Sequence, residues 1–314
     1  MSFSRTTSLR LTPLFLLSLG IGAGLGLSAC KAEPSADEPE AGAERAPSAA
    51  RDDRDDAPHV RIELGWVSTA QREALAARLG PSSPVAEADA LLAVRHEIDP
   101  HWHIYWENPG DSGLRTRLSV PVEAPLNAGE VLYPGPDRFE SEGGLQSFGW
   151  EKEAVLFVPI FGAAADERTL TVTSRWLACL ESCIPGESEA IISTAALVEG
   201  AEDSEHDPRW EAMLARIPEP VGDSLDARWR GAGAVELRNP AGGALEIEAF
   251  FPYASEAPIY TGLTPGDAGG ELAATLNYSL PADRAELPAS QGVLRVHDGQ
   301  AQRWLELSLP WPTN

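Results

Sequence analysis

Two cysteines separated by three residues, in Arg175-Trp-Leu-Ala-Cys-Leu-Glu-Ser-Cys-Ile-Pro185, restrict this chain more than any other feature. A disulfide requires Cα atoms about 4.4–6.8 Å apart. Four steps of extended strand would separate Cys179 and Cys183 by about 13 Å. If the two sulfurs bond, the chain must turn between them. A helix would also bring i and i+4 together, but the ring of Pro185 would clash with the carbonyl of Glu181. The run Leu170 to Trp176 is rich in β-formers, and a second apolar run, Ala190-Ile-Ile192, follows. The expectation is a strand, a tight turn carrying both sulfurs, and a return strand.

The first 30 residues read as a targeting segment. Arg5 and Arg10 precede an apolar run that ends in Leu27-Ser28-Ala29-Cys30. This resembles a bacterial lipobox, in which the cysteine carries lipid and becomes the mature N-terminus. Lys31 is not the aspartate of an inner-membrane retention signal, so an outer-membrane, periplasm-facing lipoprotein is expected. With Cys30 taken by lipid, Cys179 and Cys183 are the two thiols left, in an oxidising compartment.

Residues 31–58 are Ala, Glu, Asp, Pro, Ser and Arg without an aromatic, which reads as an acidic disordered tether. Short alternating runs broken by Gly and Pro then predict an all-β protein. An immunoglobulin-like β-sandwich is expected over 59–200 and a second, smaller β domain over 221–314. Strands are expected at His59–Leu64, Ala90–Ile98, His101–Trp106, Leu118–Val122, Glu130–Tyr133 and Ala154–Ile160. Turn-rich Glu107–Gly113 follows the third of these. Thr69–Leu79 reads as a short helix or a loop, with Gly80-Pro81 as its stop. Residues 201–220 read as a linker and a short helix capped by Asp207-Pro208. Later strands include Gly292–Val296, with Asp298-Gly299 as a hairpin signal. The formal net charge of -24, from 48 acidic and 24 basic residues, argues against nucleic-acid binding.

The chemistry of the cysteine pair admits three readings. A disulfide closing so short a loop contributes only about 2 kcal/mol by loop entropy, so it is a poor staple. Redox exchange, a structural bridge and a metal site all stay open. Glu181, Glu187 and Glu189 flank the pair against Arg175 alone, which disfavours thiolate and leans towards a reducing pair. His101 and His103, i and i+2 on one face of a presumed strand, would join the sulfurs in a soft-metal site suited to copper. No other cofactor is indicated.

Three segments together resemble one family. Trp102-His-Ile-Tyr-Trp-Glu-Asn-Pro-Gly-Asp-Ser-Gly-Leu114 is similar to a signature of the N-terminal periplasmic domain of the thiol:disulfide interchange protein DsbD, especially its ScsB-like branch, which is linked to copper tolerance. Trp176-Leu-Ala-Cys-Leu-Glu-Ser-Cys-Ile-Pro185 is similar to that branch's cysteine motif. Between them, Tyr133-Pro-Gly-Pro-Asp-Arg-Phe139 and Phe148-Gly-Trp-Glu151 look like the family's variable loop and following strand. The resemblance implies an immunoglobulin-like domain whose cysteines relay electrons from a membrane-embedded thiol reductase to oxidised periplasmic proteins, with thioredoxin-like partners. It implies that Cys183 attacks and Cys179 resolves. It also implies an aromatic cap, matched to Phe139 or alternatively Phe148, with Tyr105 close to the sulfurs. The chain would be a component of a protein-disulfide reductase and not a complete one. A copper-binding lipoprotein and a non-catalytic interaction module are the alternatives.

Overall fold

The computed structural model describes residues 59–141, 143–162, 167–195, 207–231, 233–242, 244–253, 259–266, 270–279 and 289–310. The expected lipid-bearing Cys30, the tether and the linker segment Glu199–His206 lie outside them. The described residues form two packed β domains, as the alternating sequence predicts.

The first domain holds strands β1 (Val60–Trp66), β2 (Ala90–Ile98), β3 (His103–Gly110), β4 (Arg117–Ser119), β5 (Asn127–Ala128), β6 (Asp137–Glu140), β7 (Gln146–Glu151), β8 (Glu153–Phe161), β9 (Thr169–Cys179) and β10 (Cys183–Ser193). One sheet has the order β1-β2-β8-β5; the other runs β10-β9-β3-β7-β6, with β4 also pairing β9. Strands β2 and β8 are buried on both faces, because each face meets a different layer. Leu92 and Val94 pack with Leu170 and Val172 of β9. Leu91 and Ala93 pack with Leu75, Val85 and Trp210. Those last residues belong to helices α1 (Thr69–Leu79), α2 (Pro84–Glu87) and α3 (Pro208–Leu214). Ser68 caps α1 by accepting from the Gln71 amide, and the Gly80 amide closes it on the Ala76 carbonyl. Asp207 caps α3 by accepting from the Arg209 amide, with Pro208 at the first helical position.

Four local expectations change. The strand expected from His101 starts at His103, because His101 turns at φ 71°. That strand continues through Pro109 to Gly110, where a turn was expected. Glu130–Tyr133 is irregular apart from one bridge, Leu132 to Phe157. Of Leu118–Val122 only the first two residues are strand.

The second domain has β11 (Glu219–Pro220), β12 (Asp226–Trp229), β13 (Ala234–Arg238), β14 (Glu246–Pro252), β15 (Ile259–Pro265), β16 (Leu272–Ser279), β17 (Ser290–His297) and β18 (Gln302–Leu309). Its sheets run β11-β18-β17-β14 and β12-β13-β16-β15. Phe250, Leu276, Leu294 and Leu305 lie in the core between them. The expected hairpin joins β17 to β18 through four residues, with the Asp298 carboxylate accepting from the Gln300 and Ala301 amides. The cores of the two domains are continuous. Phe251 of β14 meets Trp106, Phe148 and Trp304 at ring distances of 6.3, 5.3 and 5.8 Å.

One buried polar contact crosses the sandwich. His96 of β2 is fully buried and sits 2.7 Å from the Ser174 hydroxyl of β9. Burial pushes its imidazole down to about 4 from an ordinary 6.5, so it is neutral at pH 7. As pH falls below 6.5 the unfolded chain takes up a proton that the folded chain refuses until about pH 4. Over that window His96 should therefore remove about 3 kcal/mol of stability. Urea unfolding of wild type and His96→Gln at pH 7 and pH 4.5 should show a smaller acid loss in the variant.

Candidate functional site

Strands β9 and β10 are joined by Leu180-Glu181-Ser182, and their register sets Cys183 directly opposite Cys179. The Cα atoms are 4.1 Å apart and the sulfurs are bonded. This is the short spacing of directly opposed antiparallel residues. Strand, turn and return strand thus occur as the sequence predicts. The two sulfurs differ in access. Cys179 is buried at 2% exposure on the inner strand. Cys183 is exposed on β10, the edge of the sheet, where Pro185 is tolerated because an edge strand has free N–H positions.

Strand β3 lies on the other side of β9. His103 pairs with Cys179 and Ile104 with Ala178. Two residues on, Tyr105 points to the same side as His103. Its hydroxyl donates to the Cys179 sulfur at 3.0 Å and lies 3.9 Å from the Cys183 sulfur. Burial raises the Tyr105 pKa, so the phenol keeps its proton and acts as a donor. Gly113 fixes the ring from above. A Cβ at that position would fall 2.3 Å from the Tyr105 ring, and its φ of 110° suits glycine. The turn that follows Asn108-Pro109 therefore serves as a flat lid on the tyrosine, a role the linear motif did not disclose.

His103 is enclosed by aromatic rings. Phe139 of β6 stacks on it at 4.9 Å with an interplanar angle of 23°, and Tyr105 meets it edge-on at 5.2 Å. Burial lowers the His103 pKa, and the nearby Glu151 carboxylate partly opposes the shift. Phe139 thus covers the residue paired with Cys179, from a strand where a loop was expected. Phe148, the other cap candidate, is 6% exposed and packs edge-on against Phe251 at the domain junction.

The structure does not bring the two histidines together on one strand face. His101 is exposed in the turn before β3, because its positive φ takes it off the strand. Among the described residues no group of three or more His, Cys, Asp or Glu could hold a metal ion. The copper site expected from Cys179, Cys183, His101 and His103 therefore lacks its His101 arm. Around the pair, Arg175 is engaged by Glu187, its cross-strand partner. Glu181 is exposed in the turn. The electrostatic setting is as the sequence suggests: no free cation of this segment favours a thiolate.

Residues 76–195 match the family model described as the N-terminal part of the thiol:disulfide interchange protein DsbD. The chain is similar in structure to the N-terminal periplasmic domain of ScsB from Proteus mirabilis. That similarity has a TM-score of 0.54 at 14% identity and covers 82% of this chain and 96% of the other. The reduced N-terminal domain of DsbD from Neisseria meningitidis also matches, with a TM-score of 0.26 at 20% identity, over 34% of this chain and 79% of that one. No curated protein sequence matches the chain. In its cysteine-bearing segment the chain is thus similar in sequence to the DsbD N-terminal domain. Over both its β domains it shares the fold of the ScsB N-terminal region.

Proposed function

We propose that this protein is a thiol–disulfide exchange module of the bacterial periplasm, relaying electron pairs through Cys179 and Cys183. The observation that carries the reading is the asymmetry of the bonded pair: one cysteine exposed on an edge strand, the other buried with its sulfur under a tyrosine hydroxyl. The match of residues 76–195 to the DsbD N-terminal family supports it.

The exchange runs as follows. A thiolate of a reduced partner attacks the Cys183 sulfur. The Cys179–Cys183 bond breaks and its electron pair leaves on Cys179. The Tyr105 hydroxyl donates to that developing thiolate. The partner's second thiolate then attacks its own sulfur in the mixed disulfide and releases Cys183. Two electrons have entered, the partner is a disulfide, and two protons from solvent complete the dithiol. Reduction of an oxidised client reverses the order, with Cys183 attacking and Cys179 resolving. Phe139 serves as the shield over this site. The donor is a membrane-embedded thiol reductase, and the acceptors are oxidised envelope proteins, among them thioredoxin-like ones. Lipid on Cys30 would hold the module at the membrane surface, most simply the outer membrane.

The reduction potential of the pair should lie between about -270 and -120 mV, the range of exchanging dithiols. A value well below about -300 mV would mark a structural bridge and overturn the reading. Tight Cu(I) binding by the reduced form, abolished by Cys179→Ser, would instead assign the sulfurs to metal. The tyrosine gives a second test. Tyr105→Phe should leave the fold intact and slow reduction by a protein dithiol about fivefold, as a hydrogen bond worth ~1 kcal/mol to the leaving sulfur is lost. Stopped-flow reduction kinetics would measure this.

A further inference from the structure

The edges of the four sheets are protected unequally. Strands β1, β6, β10, β12 and β14 each end a sheet and carry charge, with Glu63, Glu140, Glu187, Asp226 and Glu246 among their side chains. Strands β5 and β11 also end sheets and are two residues long. Charge and shortness are ordinary devices that keep an edge from pairing. Strand β15, Ile259-Tyr-Thr-Gly-Leu-Thr-Pro265, is seven residues long and has no charged side chain. Among the described residues it pairs with β16 alone. The Gly266 amide donates to the Ala273 carbonyl, so by antiparallel alternation the Leu263 amide and carbonyl and the Pro265 carbonyl point away from β16. At Gly262, beside the bulge, the backbone is bare: a Cβ there would meet nothing within 4 Å. Glycine within a strand is found where another backbone comes close.

This edge lies in a cleft of about 520 Å³ between the two β domains. Residues 259–263 and Pro265 form one bank, and Asn108, Gly110, Asp111 and Gln146 of the first domain form the other. The Asn108 side-chain amide donates to the Pro252 carbonyl at 2.8 Å, which ties the first-domain bank to β14. Ile259, on the edge itself, and Leu145, next to Gln146, are exposed apolar side chains. Arg138, the one cation that lines the cleft among the described residues, is held on the Phe250 carbonyl and over the Phe251 ring. Of the lining carboxylates, Glu248 meets Arg295, and Asp111 accepts from the Gln146 amide.

We propose that β15 is a strand-addition site for an extended segment of a partner polypeptide, uncharged along the edge and basic beside Asp111. Main-chain bonds from the outward groups of β15 supply affinity, and alternate side chains of the added strand supply choice. Three observations select this occupant. The first-domain bank leaves room beside the edge for one chain and not for a second folded sheet. The bulge and Pro265 limit the ladder to a few residues, which suits a short segment rather than open-ended stacking. The Asp111 carboxylate, on a chain of net charge -24, complements a basic residue. The site is independent of the chemistry at sulfur. It gives the second domain a task that exchange at the cysteines does not require.

The test uses the full-length protein and the peptide fluorescein-Lys-Thr-Val-Thr-Val-Thr-Lys-amide, followed by fluorescence anisotropy. Binding should saturate. A second peptide, with proline at the third and fifth positions, keeps the charge but loses two ladder donors and should bind at least about tenfold more weakly. Ile259→Lys puts a charge on the exposed edge and should weaken the first peptide about tenfold. Ile191→Lys makes the same change on the exposed face of β10 and should leave binding unaltered. Asp111→Asn should weaken binding and flatten its dependence on salt. Amide hydrogen exchange at Leu263 should slow when the peptide is bound. Equal affinity for the two peptides would mean attraction by charge alone and would overturn the proposal. So would equal weakening by the two lysine substitutions, unchanged exchange at Leu263, or no saturable binding. A wild-type dimer in sedimentation that Ile259→Lys dissolves would replace the peptide with a second copy of the chain. If Ile259→Lys does not fold, Thr261→Lys, at an exposed position of the same edge, decides.

Discussion

The antiparallel pairing of β9 with β10 is the constraint on which the site depends. It runs in unbroken register from Ser193 opposite Thr169 to Cys183 opposite Cys179. Side chains alternate along a strand, so a slip of one residue would send one sulfur to the opposite face. The register is held at the turn by the Leu180 amide donating to the Ser182 carbonyl, and further along by Glu187 meeting Arg175. A disulfide at the closed end of such a hairpin adds little to its stability. Its position instead makes one sulfur an edge and the other a core atom. That inequality gives an exchanging pair an order of events.

Around the hairpin, the rest of the first domain supplies what the sulfurs lack. Strand β3 supplies a donor to the Cys179 sulfur through Tyr105, whose burial keeps the phenol protonated. Arg175 is engaged by Glu187, and the Tyr105 hydroxyl donates to the Cys179 sulfur. The rings of Tyr105 and Phe139 enclose His103 beside the buried Tyr105–Cys179 contact. Dry surroundings strengthen a single well-placed hydrogen bond.

The second domain is joined to the first by a shared core, bordered by polar contacts such as Asn108 to the Pro252 carbonyl and Arg295 to Asp137. Phe251, Trp304 and Val293 belong to the same buried cluster as Trp106, Trp150 and Phe157. Helix α3 lies in that cluster too, with Trp210 fully buried. Such a junction resists hinge motion, because separating it would expose several large rings at ~25 cal/mol per Å² of apolar surface.

The sequence by itself determined the β class, the two domains, the cap of α3, and the turn between the cysteines. These follow from local chemistry: alternation, side-chain caps, and a proline that forbids a helix across the pair. It also singled out Tyr105 and Phe139 through a resemblance, without their contacts. Three of the four tryptophans of the motifs, Trp106, Trp150 and Trp176, proved to be core residues, so much of what makes the motifs distinctive is packing. Only the tertiary structure decided that His101 leaves the strand, since one left-handed backbone angle at a non-glycine residue has no signature in alternation. Only it placed Arg216 on Asp137, nearly eighty positions away, and seated Gly135 on Trp304. Pairings at that separation depend on how two finished domains meet, and no local pattern in the chain records that meeting.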